Sequence, residues 1–232
     1  MRPMTMRERM LAVIQGHEHD RVPFAIYEIL VPPHEVLEHL GHGRIGIIRF
    51  CPIYRVEHPN CKFESQIFLQ NDTKYKHTYL HTPKGVLEEV RVYEPAFDSS
   101  TPSKHFIKTK QDYEIFWSYL EDCLILENYD QYHRDVAELG DDGFPKVECE
   151  RTPWQQLWVE WAGLEGLSMH LADFPDHVEH TIELMMKRER QQFEIAYRSP
   201  APFINIPDNI TAPAIGPARF RKYCVSLYDE LA

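Results

Sequence analysis

The sequence has no apolar run approaching the ~18 residues that a membrane span needs. It has no surplus of positive charge, no Gly/Ser linker, no low-complexity tract and no internal repeat. Its 25 Lys and Arg stand against 36 Asp and Glu, a net charge of −11. General nucleic-acid binding needs a basic surface to displace counterions, so that class is excluded. The acidity itself names no substrate. The first ten residues hold Arg2, Arg7, Glu8 and Arg9 among methionines, without the apolar core of a signal peptide. A cytoplasmic protein is the expectation. Five scattered cysteines, an odd number, then read as reduced thiols. What is present is an ordinary globular composition, 43% apolar and 26% charged over 232 residues. That length can bury a substantial core, which excludes a disulfide scaffold and a disordered chain.

Local patterns give an alternation of strand and helix. Thr5-Met6-Arg7-Glu8 has the form of a capping box, and Met6, Met10, Val13 and Ile14 repeat at helical spacing before Gly16. Val22 to Tyr27 is a short apolar run, read as a buried strand. Pro33 opens a short helix through Leu40. Ile45 to Phe50 is a second strand. The middle of the chain changes character. Phe63 to Leu69, Tyr75 to Leu80 and Val86 to Tyr93 are β-rich, with turn chemistry at Asn71-Asp72 and Pro83-Lys84-Gly85. They predict a three-stranded antiparallel insertion over 62–93. Thr109 to Leu124 is helical, with Asp112 placed to cap it, and Asp130 to Leu139 is a further helix. Phe144 to Cys149 is a strand, and Gln155 to Trp161 is ambiguous. Asp173 to Tyr197 is the longest helix, its inner face Val178, Ile182, Met185, Met186 and Phe193. Phe203 to Ile206 is a strand, and Gly216-Pro217 starts the last helix. Strands alternating with helices imply βα units and a parallel sheet, so the expectation is one α/β domain over 1–232.

Several stretches, in order, resemble the superfamily of uroporphyrinogen decarboxylase and the cobalamin-dependent methyltransferases. Met4-Thr5-Met6-Arg7-Glu8-Arg9 with Asp20-Arg21-Val22-Pro23 is similar to its N-terminal helix and first strand. Thr82-Pro83-Lys84-Gly85 resembles its TPxG turn. Gly163-Leu164-Glu165-Gly166-Leu167 with Asp173-Phe174-Pro175-Asp176 resembles its GxE…DxPE segment. Pro207-Asp208-Asn209 with Gly216 to Tyr223 resembles a strand-end Asp followed by an SPExFxKY helix start. The resemblance implies a (β/α)8 TIM-barrel fold. A full barrel takes about 250 residues without insertions, so it also implies an incomplete barrel lacking its C-terminal third. The sheet edge left open would be covered by a homodimer or a partner chain.

The resemblance separates two chemistries. Decarboxylases of the superfamily carry RQAGR after the first strand and FSDI on the second. Here those places read Glu28-Ile29-Leu30-Val31-Pro32 and Ile47-Ile48-Arg49-Phe50-Cys51. That points away from classical uroporphyrinogen decarboxylation and toward corrinoid-linked methyl or one-carbon transfer on a small molecule, with a corrinoid protein as partner. The sister families hold zinc with a His-x-Cys and a later Cys. No His-x-Cys occurs here, so zinc is implied only for a longer parent. Two other readings stay open: a non-catalytic fragment or binding module needing a partner segment, and a uroporphyrinogen decarboxylase of porphyrin biosynthesis.

Residues just past the strands of such a barrel gather at one mouth. Glu28, Glu160 and Asp208 are therefore the candidate catalytic groups, with Asn209, Glu150 and Trp161 as candidate substrate contacts. Glu28, Glu160, Asp208 and Asn209 are expected to face a common cavity, where mutual repulsion would raise at least one carboxyl pKa. Asp208-Asn209 also reads as a self-capped turn, and Trp154, Trp158 and Trp161 as a core stripe. His58-x-x-Cys61 is the nearest approach to metal-ligand spacing, but with two ligands and no second pair a loop with a free thiol explains it better.

Overall fold

A computed structural model describes residues 2–31, 34–41 and 43–231. The chain forms, in order, α1 (Met6–Ile14), β1 (Ala25–Tyr27), α2 (His34–Leu40), β2 (Gly46–Cys51), β3 (Tyr54–Glu57), β4 (Lys62–Gln70), β5 (Thr73–Thr82), β6 (Gly85–Glu94) and β7 (Ser99–Lys104). There follow α3 (Lys110–Glu121), β8 (Leu124–Glu127), α4 (Tyr129–Leu139), β9 (Gly143–Glu148) and α5 (Pro153–Gln156), which runs into a π-helical turn at Leu157–Trp161. Last come α6 (Leu164–Asp173), α7 (Pro175–Arg198), β10 (Ile204–Asn205), α8 (Ala212–Phe220), a π-helical turn Arg221–Val225, and α9 (Ser226–Leu231). The fold is mixed α/β, and β3 pairs with β8. Pro33, read as the opening of a helix, lies outside the described residues, and α2 runs from His34. No described helix is long and apolar enough to cross a membrane. The chain divides into two compact units.

The first unit comprises Met1–Arg55, Leu126–Cys149 and Glu194–Asn205. Its centre is a parallel sheet in the order β1-β2-β9-β10. Ile47 lies beside Gly143, Phe50 beside Lys146, and Asn205 beside Glu148. Side chains alternate, so residues paired across the strands share a face. Tyr27, Ile48, Phe50, Phe144, Lys146 and Glu148 line one face, and Arg49, Cys51 and Val147 line the other. α1 covers the N-terminal half of the first face, where Met6 and Met10 pack with Phe144, Ile48 and Ala25. Thr5 accepts a hydrogen bond from the Glu8 amide at 3.2 Å, and the Glu8 carboxylate accepts from the Thr5 amide at 2.9 Å. Gly46 has no side chain because α1 is that close: a Cβ there would stand 2.2 Å from Met10 Sδ. α4 covers the opposite face, where Asp135 meets Arg49 at 3.2 Å. β9 is buried on both faces from Gly143 to Val147, as strands of a covered parallel sheet are.

The second unit comprises Val56–Ile125, Glu150–Phe193 and Ile206–Ala232. Its antiparallel sheet has the order β4-β5-β6-β7. Asn71 and Asp72, both left-handed with φ of 50° and 59°, form the two-residue turn between β4 and β5. The sheet has four strands, where three were predicted. β7 reads Ser-Ser-Thr-Pro-Ser-Lys and has no apolar alternation to announce it. Leu80 and Leu87 join α3, α6 and α7 in the larger core, with Phe116, Trp154, Leu157 and Met185 fully buried. Each such large apolar side chain contributes about 2–3 kcal/mol through burial.

Three helix boundaries differ from the sequence reading. Thr109, rather than Asp112, is the N-cap of α3, and Asp112 is the reciprocal partner three residues on. α3 stops at Glu121 because Leu124 enters β8. The last helical run begins at Ala212, not Gly216. Pro213 sits in its first turn, and Gly216, at φ 72°, breaks it in two.

Candidate functional site

Polar side chains collect where the parallel strands of the first unit end. Lys146, 8% exposed, donates to Glu148 at 2.5 Å. Its Nζ lies 4.3 Å from the Phe50 ring centre and 5.0 Å from that of Tyr27. The two rings stack on each other at 5.0 Å. Asn205 donates its side-chain amide to the same Glu148 oxygen at 3.2 Å. A desolvated ammonium thus sits beneath two aromatic faces and against one carboxylate, the arrangement that stabilises a cation away from water. Glu28 lies elsewhere in this unit. It grips Arg49 through both oxygens, at 2.7 and 2.9 Å, and Arg49 also meets Glu138 at 2.6 Å. Arg49 belongs to the α4 face, so Glu28 is committed to that ion-pair network. The three carboxylates hold the Arg49 guanidinium more firmly protonated, with the Glu28 hydrogen bond the largest cause.

The other candidate residues belong to the second unit and attach to one segment. Asp208 accepts the Thr152 amide at 2.9 Å and the Tyr228 hydroxyl at 2.5 Å. The Asn209 amide donates to Gln155 at 2.8 Å. Glu160 pairs with Arg151 at 3.2 Å. Its carboxyl lies above the ordinary range, chiefly through desolvation, with Arg151 opposing and Glu150 adding. Glu150 pairs with the buried Arg188. Arg188 also donates to Gln156 at 3.1 Å, and Gln156 donates to Glu189 at 2.6 Å. Glu189 is 1% exposed, its second oxygen lacks a hydrogen-bond partner, and burial raises its carboxyl well above the usual range. Trp161 packs between Phe116, Phe106 and Tyr119, with ring centres at 4.2, 5.3 and 5.6 Å, and is core. Trp154 stacks on Tyr223 at 4.7 Å. Glu150, Glu160, Asp208 and Asn209 are thereby tied to residues 150–160, while Glu28 belongs to the first unit.

Sequence reasoning missed Lys146, Tyr27 and Phe50, and it missed Arg188 and Glu189. A signal existed for each set. Lys146 interrupts the apolar run Phe144-Pro145-Lys146-Val147, and a strand buried on both faces has no free side for a lysine. Glu189 falls on the helical stripe Ile182, Met185, Met186, Phe193, at the step where an apolar residue belongs.

The donor set does not suit zinc. Among the described residues no three His, Cys, Asp or Glu side chains stand together to hold a metal ion. Burial lifts the Cys51 thiol to about 12 and the Cys61 and Cys224 thiols to about 11, against formation of the thiolate a metal would bind. His58 stacks on Tyr119 at 4.0 Å, and burial lowers its pKa. Comparison with family models, with curated proteins and with solved structures finds no match to this chain.

Proposed function

We propose that the chain is a member of the uroporphyrinogen decarboxylase superfamily whose parallel strands are wall strands of a (β/α)8 barrel. In this reading it serves corrinoid-linked methyl or one-carbon transfer on a small molecule. The observation that carries the fold reading is strand order. β1, β2, β9 and β10 neighbour one another in chain order, all parallel. A doubly wound sheet would reverse its order at a switch point; a barrel wall does not. The face that bears α1 at its N-terminal half and Lys146 with Glu148 at its C-terminal end corresponds to the barrel interior.

Charge pairing favours methyl transfer over decarboxylation. Uroporphyrinogen carries many carboxylates, which need surplus cations. Lys146 is matched by Glu148, Arg151 by Glu160 and Arg188 by Glu150. In the proposed roles Lys146 and Glu148 hold a polar group of the substrate. Glu160, in the second unit, keeps its carboxyl proton to a higher pH than usual and is that unit's candidate acid–base group. Asp208 fixes the loop after β10 through Thr152 and Tyr228. The corrinoid would sit on the partner protein and supply or accept the methyl group, and no zinc is assigned.

The test uses free methylcobalamin. Addition of the protein with thiol or phenol acceptors is expected to convert methylcobalamin to cob(I)alamin, seen in the corrinoid spectrum, and yield the methyl thioether or methyl ether with release of the acceptor's proton. Asp208→Ala should abolish that turnover and leave the circular dichroism intact. Conversion of uroporphyrinogen, or no corrinoid-dependent product with any acceptor, would overturn the reading. Ligand binding without turnover would assign a binding module instead.

A further inference from the structure

The two edges of the antiparallel sheet are built differently. β7, at one edge, carries Pro102 at its middle, and its register with β6 slips between Val90 and Arg91. Proline and bulges are how proteins keep an edge from pairing with another chain. β4, at the other edge, has neither. All nine of its residues, Lys62 to Gln70, are exposed. They pair with β5 in unbroken register, so the outward backbone edge is straight. Phe63 is 48% exposed, Ile67 64%, Phe68 40% and Leu69 74%. A straight nine-residue edge with four exposed apolar side chains and no proline or bulge invites an incoming strand.

We infer that β4 is a dimerisation strand, pairing antiparallel with β4 of a second copy of this chain to make one continuous eight-stranded sheet. The sequence of β4 is self-complementary in a single full-length register. A two-fold axis through Gln66 sets Lys62 against Gln70, Phe63 against Leu69, Glu64 against Phe68, and Ser65 against Ile67, so that all nine residues pair. The pairing preserves the faces, because residues of the same parity meet. Phe63, Ile67 and Leu69 from both copies then form one apolar stripe. No like charges face each other, and Lys62 gains Asp72 of the second copy as its diagonal neighbour at both ends. A shift of two residues toward Lys62 leaves Leu69 and Gln70 unpaired. The wider charge pattern agrees. The chain is −11 overall, yet the β4–β5 hairpin carries Lys62, Lys74 and Lys76 against only Glu64 and Asp72. Two acidic copies therefore meet with least repulsion there. The interface is isologous, the form that closes at two copies.

Light scattering during size exclusion tests this on the full chain. The expected mass is that of two 27.4 kDa chains. The double variant Ile67→Lys with Leu69→Lys should halve it while keeping a cooperative thermal transition. A second variant does not depend on that fold surviving. Gln66→Cys places two thiols on the axis, where facing Cα atoms stand about 4.5–5.5 Å apart, within disulfide reach. Mild oxidation should give an interchain-linked dimer from Gln66→Cys and none from Ser100→Cys on the β7 edge. A single-chain mass at the highest concentration the chain reaches would overturn the proposal. So would equal cross-linking by the two cysteine variants.

Discussion

Glu189 carries a carboxyl that burial moves well above its ordinary range. It lies on α7, nine-tenths and more buried, facing Arg188, Glu150, Asp208 and Gln156. Burial raises its carboxyl, so the native state holds a proton that the unfolded chain releases above about pH 4.3. The native stabilisation is then complete below that pH and is lost as pH rises toward the raised native value. The slope for one proton is at most about 1.4 kcal/mol per pH unit. Glu189→Gln keeps the shape and the Gln156 hydrogen bond but cannot ionise. Urea unfolding from pH 5 to 9 should show the wild type losing stability relative to the variant as pH rises. Parallel curves would mean that Glu189 is ionised in the native state and held by Arg188. Lys146 gives the complementary case. Removing its charge leaves Glu148 with only Asn205 and solvent, so Lys146→Met should destabilise by about 1–2 kcal/mol, the loss of a charge-assisted hydrogen bond to a partly exposed carboxylate. Denaturant midpoints measure it, and restoration by Lys146→Met with Glu148→Gln would identify the pair rather than packing as the cause.

Elements announced by their own neighbours were legible in the sequence; elements set by distant contacts were not. The α1 capping box is a local pattern, and both of its hydrogen bonds are present. The β4–β5 and β5–β6 turns carry their own left-handed or proline-glycine chemistry. β7 and β3 were invisible, because short polar strands exist only through the strand they pair with, and β8, Leu-Ile-Leu-Glu, was hidden because Leu124 also continues the apolar stripe of α3. The candidate site divides in the same way. Positions after strand ends could be read from apolar runs. The pairing of Glu28 with Arg49, and of Glu150 with Arg188, depends on residues 21 and 38 positions away. Trp161, a candidate substrate contact, belongs to an aromatic core, as the helical spacing of Trp154, Trp158 and Trp161 also indicated, but its partners Phe106, Phe116 and Tyr119 are distant in sequence. α1 offers the test at this scale. Its fit on the parallel sheet depends on Gly46, where Met10 and Met6 occupy the space a side chain would take. Gly46→Val should lower stability by about 1–3 kcal/mol through overpacking. Hydrogen exchange should speed up first in α1, and an unchanged α1 would place the close approach elsewhere.

For the whole molecule, the five thiols report how completely each unit closes. All are free. Cys51 and Cys149 lie in the first unit, and Cys61, Cys123 and Cys224 in the second. Cys123 alone is not buried. It lines a small surface groove of about 150 Å³ with Arg188, Leu184 and Lys187. The other four are inaccessible; burial raises the thiols of Cys51, Cys61, Cys224 and also Cys123, so access rather than acidity sets Cys123 apart. A disulfide reagent at pH 8 should therefore modify one cysteine quickly, identified by mass spectrometry as Cys123. The remaining four should react only as fast as their unit opens, and all five should react at once in denaturant. Cys51 and Cys149 should acquire label together, because both depend on the closure of the parallel sheet's own unit. Cys61 and Cys224 should do the same for the second core. Rapid native-state labelling of Cys51 or Cys149 would mean that the unit holding Lys146 and Glu148 opens readily in solution. In that case the strand-end cluster could not be a standing site, and the catalytic assignment built on it would fall with the label.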